Sequence, residues 1–160
     1  MESNTDGTEI SEITGEPAID MALDTIRIGK QALIFCSTRN SAEATAEKIA
    51  GKIKQSSEEL KKLADDILNV FSSPTKQCRR LSASCIKGIA FHHAGLASTQ
   101  RKKVEDNFRK GTIKVICSTP TLAFGLNLPA YRAIIKDLKR YTGRGMQYIP
   151  ALEYHQMAGR

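Results

Sequence analysis

Apolar positions along this chain switch repeatedly between helical and strand-like spacing. Residues 1–16 are polar with few apolar side chains, which predicts a disordered linker or tail ahead of the folded body. From Pro17 onward Ile19, Ala22, Leu23 and Ile26 recur at helical intervals. Pro17 suits a first helical turn and Gly29 a stop. Residues 31–37 (QALIFCS) form a short continuous apolar run, the signature of a strand buried on both faces. A helix is predicted over 40–54, with Ala42, Ala46, Ile49, Ala50 and Ile53 on one side. A second runs from Ser57, a capping residue, to Phe71, striped by Leu60, Leu63, Ala64, Ile67, Leu68 and Phe71. Residues 72–82 read as a loop. Strand patterns follow at 86–92, 113–118 and 132–138, with a helix at 98–109 that turns Val104 and Phe108 inward. A last helix starts near Ala151 and is still running at Arg160. Strands alternating with helices predict an α/β fold on a mostly parallel sheet with helices on both faces.

Composition narrows this picture. With 160 residues, 41% hydrophobic and 26% charged, the chain has room for one domain, expected over 17–160. Its apolar runs fall short of the roughly 18 residues that span a bilayer. The acidic, polar N-terminus does not read as a signal peptide, so a cytoplasmic protein is expected. Cys36, Cys78, Cys85 and Cys117 lack C-x-x-C spacing, and no metal site is expected. Cys36 and Cys117 sit in apolar runs, as small buried hydrophobes do. A thiol-phosphatase loop is excluded, because Ala42 and Ala123 stand where its arginine would follow Cys36 or Cys117.

The net charge of +7 is uneven: residues 1–30 hold seven acids and two bases, and the remainder 22 bases and 10 acids. A body this basic favours an anionic partner, most commonly nucleic acid.

In open α/β sheets chemistry gathers where strands end at their carboxyl edge. Four segments qualify. Ser37, Thr38, Arg39 and Asn40 bring hydroxyls, a guanidinium and an amide to a helix N-terminus, where free N–H groups suit phosphate. The segment alone could be a plain helix cap; Arg39 is more than a cap needs. His92 and His93 end the next strand. As neighbours on a strand they point to opposite faces, so they do not share a metal. Gly95 implies a special backbone angle or a close approach by a ligand, and Arg101 follows on the next helix. Residues 118–129 form a long loop rich in hydroxyls (Ser118, Thr119, Thr121), with a turn at Gly125 and Asn127. Gln156 and Arg160 project from the last helix, where a guanidinium can steady a transferring phosphate. No G-x-x-x-x-G-K-[S/T] loop and no magnesium-binding acidic pair occur in the sequence, so the chain should not hydrolyse ATP by itself.

Four blocks in order, ALIFCSTRNSAEATAEKIA (32–50), IAFHHAGL (89–96), VEDNFRKGTIKVICSTPTLAFGLNLPAYRAIIKDLKRY (104–141) and EYHQMAGR (153–160), resemble one family. The chain is similar, over about residues 20–160, to the second RecA-like domain of superfamily 2 helicases, in the Ski-like branch that holds the Hjm-type archaeal DNA helicases. The resemblance implies that Ser37, Thr38 and Arg39 (motif IV) lie along the nucleic-acid backbone, with His93, Gly95, Leu96 and Arg101 adjoining. It implies that Thr119, with Thr121 beside it in motif V, holds a phosphate of the tracked strand. Gly125 and Asn127 then face the nucleotide cleft. Gln156 and Arg160 open motif VI, which reaches ATP and Mg2+ held mainly by a first RecA-like domain. The family's motif continues as Gln-x-x-Gly-Arg-x-Gly-Arg, and this sequence stops at the first of those arginines. A β-hairpin is expected over 139–152, where the glycines around Arg144 lie between the apolar arms carrying Tyr141, Met146 and Tyr148. In that family such a hairpin splits the duplex. The implied parent is a monomeric 3′–5′ DNA helicase acting on single-stranded and branched DNA in repair or fork processing.

Three other readings stay open on the sequence: an RNA helicase domain of the same branch, a basic α/β binding module without a motor, and a small-molecule enzyme using Cys36 or His93.

Overall fold

A computed structural model describes residues 14–120, 128–136, 139–142 and 145–148. Helix α1 (Pro17–Arg27) leads into strand β1 (Ala32–Phe35). Helices α2 (Arg39–Ala50), α3 (Glu58–Leu68) and α4 (Lys76–Cys85) follow. Then come β2 (Ile89–His92), α5 (Ser98–Arg109), β3 (Val115–Ser118) and β4 (Arg132–Ile135). Strands β5 (Lys139–Thr142) and β6 (Gly145–Tyr148) close the described order.

The main sheet has the order β2-β3-β1-β4, and every pairing in it is parallel. All side chains of β1, β2 and β3 are buried, because helices cover both faces. The register sets His92, Ser118, Phe35 and Ile135 side by side. That row is the carboxyl edge, and the loops after it are the ones the sequence singles out. Crossovers between parallel strands are right-handed. The connection from β1 to β2 therefore runs over one face, and α5, returning from β2 to β3, over the other.

Local chemistry explains most boundaries. Gly29 takes φ +77° and its N–H bonds the Ile26 carbonyl, ending α1 where a side chain would be strained. Ser57 accepts the Leu60 N–H and starts α3. Val104 and Phe108 are fully buried beneath α5. Of the α3 stripe, Leu63, Ala64 and Ile67 are buried, whereas Phe71 lies past the helix end and is exposed.

Two sequence expectations need correcting. Residues 72–82 are not one loop: α4 starts at Lys76, where Thr75 accepts the Cys78 N–H. Cys78, Leu81, Ser82 and Cys85 form its buried face. The stripe is helical in spacing, but Leu81 is its one large apolar residue among small cysteines and serines, which hides it from an apolar-period reading. The strand pattern at 86–92 accordingly narrows to Ile89–His92.

Near the N-terminus, Thr14 donates from its N–H and its hydroxyl to the buried Asp20 carboxylate (2.9 and 2.8 Å). Residues 14–16 thus pack on α1. Strands β5 and β6 pair antiparallel, Tyr141 opposite Met146 and Lys139 opposite Tyr148. The helix expected from Ala151 lies outside the described residues, as does residues 1–13 of the expected tail.

Candidate nucleic-acid interface

Each strand of the sheet delivers its next residues to the carboxyl edge. Beyond β1 the chain turns at Ser37 and enters α2, and Ser37, Thr38, Arg39 and Asn40 are all exposed. Thr38 is the N-cap: its Oγ1 accepts the Ser41 N–H at 3.0 Å. Its own hydroxyl proton stays available to an outside acceptor.

Beyond β2 the turn through His93, Ala94 and Gly95 comes back against Arg39. A methyl group on Gly95 would sit 3.0 Å from Cε1 and Nδ1 of His93 and 3.3 Å from Nη1 of Arg39. The first stretch of α2 and the second loop therefore form one surface, with the Arg39 guanidinium over the Gly95 backbone. Gly95 has no positive φ, and its near neighbours are the chain's own ring and guanidinium. Of the sequence reading of this glycine, the special backbone angle is thus corrected to a close approach within the protein.

The two histidines diverge as strand geometry requires. His92 Nε2 meets Glu105 of α5 at 2.7 Å, while His93 Nε2 meets Glu43 of α2 at 2.7 Å. Burial pushes the His92 pKa down, overriding Glu105, and nearby Arg101 adds to that push. His93 is 2% exposed and has both ring nitrogens engaged. The Gly95 N–H donates to Nδ1 at 3.0 Å, so the ring's proton is on Nε2, where Glu43 accepts it. His93 consequently holds the turn from beneath.

Glu43 is itself buried and receives three donors. Gln77 donates to its Oε2 at 3.0 Å and Arg80 Nη1 to its Oε1 at 2.7 Å. The rest of the Arg80 fork grips Glu47, Nε and Nη2 each donating at 2.7 Å. This hydrogen-bonded arginine lowers the Glu47 pKa, and the Arg80 pKa is raised in return. Glu43, Gln77, Arg80 and Glu47 are functional candidates that the sequence reading missed. The acid on the inner side of α2 and the polar residues in the unrecognised α4 were the available signals.

Arg101 is half-buried one turn into α5, on the His92 side. The α5 N-terminus has only half a capping box: Gln100 Oε1 accepts the Ala97 N–H at 3.3 Å, and no side chain caps the first-turn N–H groups. Ser98 and Thr99 are exposed beside them. Beyond β3 the Ser118 hydroxyl donates to the Thr119 carbonyl, and Thr119 is half-buried.

The structure thus brings Ser37, Thr38, Arg39 and Gly95 together, with Arg101 on the first turns of α5 and Thr119 on the segment after β3. Thr121, Gly125, Asn127, Arg144, Gln156 and Arg160 lie outside the described residues. Tyr141, Met146 and Tyr148 are on the paired strands. All four cysteines are buried, and none forms a disulfide with another. Among the described residues no three His, Cys, Asp or Glu side chains cluster as metal ligands, and no helix is long and apolar enough to cross a membrane.

An open, wholly parallel four-stranded sheet with helices on both faces and polar loops on its carboxyl edge is a doubly wound α/β architecture, the class to which RecA-like domains belong. Residues 51–160 match the helicase conserved C-terminal domain, and the chain belongs to that family. It is 41% identical over 154 residues, 94% of its length, to the ATP-dependent DNA helicase Hel308 of Methanococcus vannielii. The Hel308 proteins of Pyrococcus abyssi and Methanocella arvoryzae are 45% and 46% identical over 143 and 146 residues, 88% of the chain in each case. The chain spans about a fifth of the length of these relatives, 20% of each.

Proposed function

We propose that this chain is the second motor domain of an ATP-dependent DNA helicase and that its carboxyl-edge loops grip the backbone of single-stranded DNA. The observation that carries this is the meeting of Arg39 with Gly95. An exposed guanidinium lies over the Gly95 backbone, next to the hydroxyls of Ser37 and Thr38. A phosphate fits such a surface: the guanidinium supplies charge and a donor fork, the hydroxyls add donors, and the missing Cβ of Gly95 leaves that guanidinium its place. Arg101 and Thr119 extend the track along the sheet edge. Contacts of this kind go to phosphate and carry no base information, so binding is non-specific in sequence and steeply salt-dependent.

ATP and Mg2+ belong mainly to a companion RecA-like domain. On this chain Gly125 and Asn127 are assigned to the nucleotide cleft, and Gln156 and Arg160 to the γ-phosphate side. Their place in the sequence and the likeness to ATP-dependent DNA helicases support that assignment. Closing the cleft moves the two domains' grips relative to each other. Each ligand can drive that motion only by binding one state of the pair better than the other. The β5–β6 pair, with Tyr141, Met146 and Tyr148, is assigned as the strand-separating wedge, where side chains stack on the terminal base pair at about 1–3 kcal/mol per base. The parent protein acts as a cytoplasmic monomer with 3′–5′ polarity, on branched DNA in repair or fork processing.

Backbone amide NMR during titration with oligodeoxythymidylate tests the grip. Shifts should concentrate at 37–40, 94–101 and 119. Shifts at the opposite edge of the sheet, around Lys30, Lys114 and Tyr131, would reject it.

A further inference from the structure

We propose that Arg80 is a positioning residue for this grip, fixing the His93–Gly95 turn, and with it Arg39, through Glu43. The inference rests on the nucleic-acid reading above and adds residues that touch no strand. Its basis is an unbroken series of short hydrogen bonds. Arg80 Nη1 donates to Glu43 Oε1 at 2.7 Å, His93 Nε2 to Glu43 Oε2 at 2.7 Å, and the Gly95 N–H to His93 Nδ1 at 3.0 Å. Gly95 then borders the Arg39 guanidinium.

Each link constrains the next. His93 can accept from Gly95 only if its proton is on Nε2, and Glu43 selects that tautomer by accepting it. The Glu43 carboxylate has to face both His93 and α4 at once, one oxygen toward each. Arg80 holds it there, and Arg80 is held in turn by its two bonds to Glu47. Three helical or loop segments far apart in sequence therefore meet at one carboxylate. Ion pairs between a half-exposed arginine and acids such as these are weak contributors to stability compared with apolar packing. Their use here is geometric: they set the height of the Gly95 backbone under the guanidinium. Flat stacking of the His93 ring on Phe91, at 5.8 Å between centroids and 9° between planes, stops the ring from tilting to escape.

The test is a double-mutant cycle on the 160-residue chain, read by anisotropy of a fluorescein-labelled oligodeoxythymidylate. Arg39→Ala should weaken binding by roughly five- to tenfold and reduce the salt slope by about one phosphate contact. Arg80→Met should do the same. Because Arg80 acts only through Arg39, the double variant should be no weaker than Arg39→Ala. Additive losses would overturn the proposal and make Arg80 an independent contact. Unchanged binding in a folded Arg80→Met chain would overturn it as well.

Should Arg80→Met fail to fold, Glu43→Gln carries the same comparison. Its amide cannot accept from Arg80 and His93 on separate oxygens, so the ring loses its Nε2–H preference. The ring 15N spectrum of His93 should shift toward mixed tautomers, the Gly95 amide should move, and binding should fall as in Arg39→Ala. An unaltered tautomer with unaltered binding would sink the relay. A wild-type chain that binds no strand would sink the interface itself, and this proposal with it.

Discussion

Gly95 shows how one missing methyl sets a surface. Its nearest neighbours are a ring bonded at both nitrogens and a guanidinium. The guanidinium can swing into solvent, but the ring cannot retreat without breaking a bond, so Gly95→Ala should cost on the order of 1–3 kcal/mol of stability. Chemical denaturation measures that loss, and single-strand binding should weaken beside it. Thr38 separates cap from contact. Thr38→Ala removes the bond to Ser41 and should cost about 1 kcal/mol. Thr38→Asp keeps the cap but sets a negative charge toward the strand, so binding should fall while the melting temperature holds. His92 supplies a pH signature. Burial depresses its pKa, so the folded state favours the neutral ring. That contribution is complete above about pH 6.5, the unfolded value, and is lost as pH falls toward the folded one. Melting temperature should decline through that acid window, and His92→Gln should flatten the decline.

Among the elements, α1 and β4 are joined by a buried pair. Arg132 Nη1 donates to Asp24 Oδ2 at 2.9 Å, to the Thr25 hydroxyl at 3.0 Å and to the Met21 carbonyl at 3.2 Å. Removing only the arginine takes three acceptors' donor away but leaves Arg27 Nη2 on Asp24 Oδ1 at 2.7 Å, so the carboxylate stays paired. Arg132→Ala should therefore destabilise by about 1–2 kcal/mol, the cost of leaving part-buried acceptors unsatisfied, while Arg132→Met with Asp24→Leu should recover much of it. Thermal melts of the two variants decide the matter. Elements of this kind were readable in the sequence where one signal dominated. The apolar runs at 32–35 and 115–118 announced buried strands, and Ser57 and Gly29 announced a start and a stop. Helix α4 was not legible, because its buried face is serine and cysteine apart from Leu81 and its neighbours read as loop. The Glu43 junction was hidden for another reason: its partners stand 37 and 50 residues away, and no local period links them. Of the site, the exposed motif residues were legible as chemistry, and the buried bonds that aim them were not.

At the scale of the whole molecule, the proposed function makes this chain the half of a motor that grips the strand, with the nucleotide on its companion. The 160-residue chain alone should therefore show no ATP turnover in a coupled phosphate-release assay, with or without DNA. Its basic body, 22 bases against 10 acids beyond residue 30, should still draw it to single strands. The salt dependence of that binding tests the account most directly. A plot of log affinity against log salt concentration for oligodeoxythymidylate should fall linearly, by about 0.7 for each phosphate neutralised, and Arg39→Ala should make it shallower by about that amount. A flat plot, or a slope that Arg39→Ala leaves untouched, would contradict a backbone grip at this edge of the sheet.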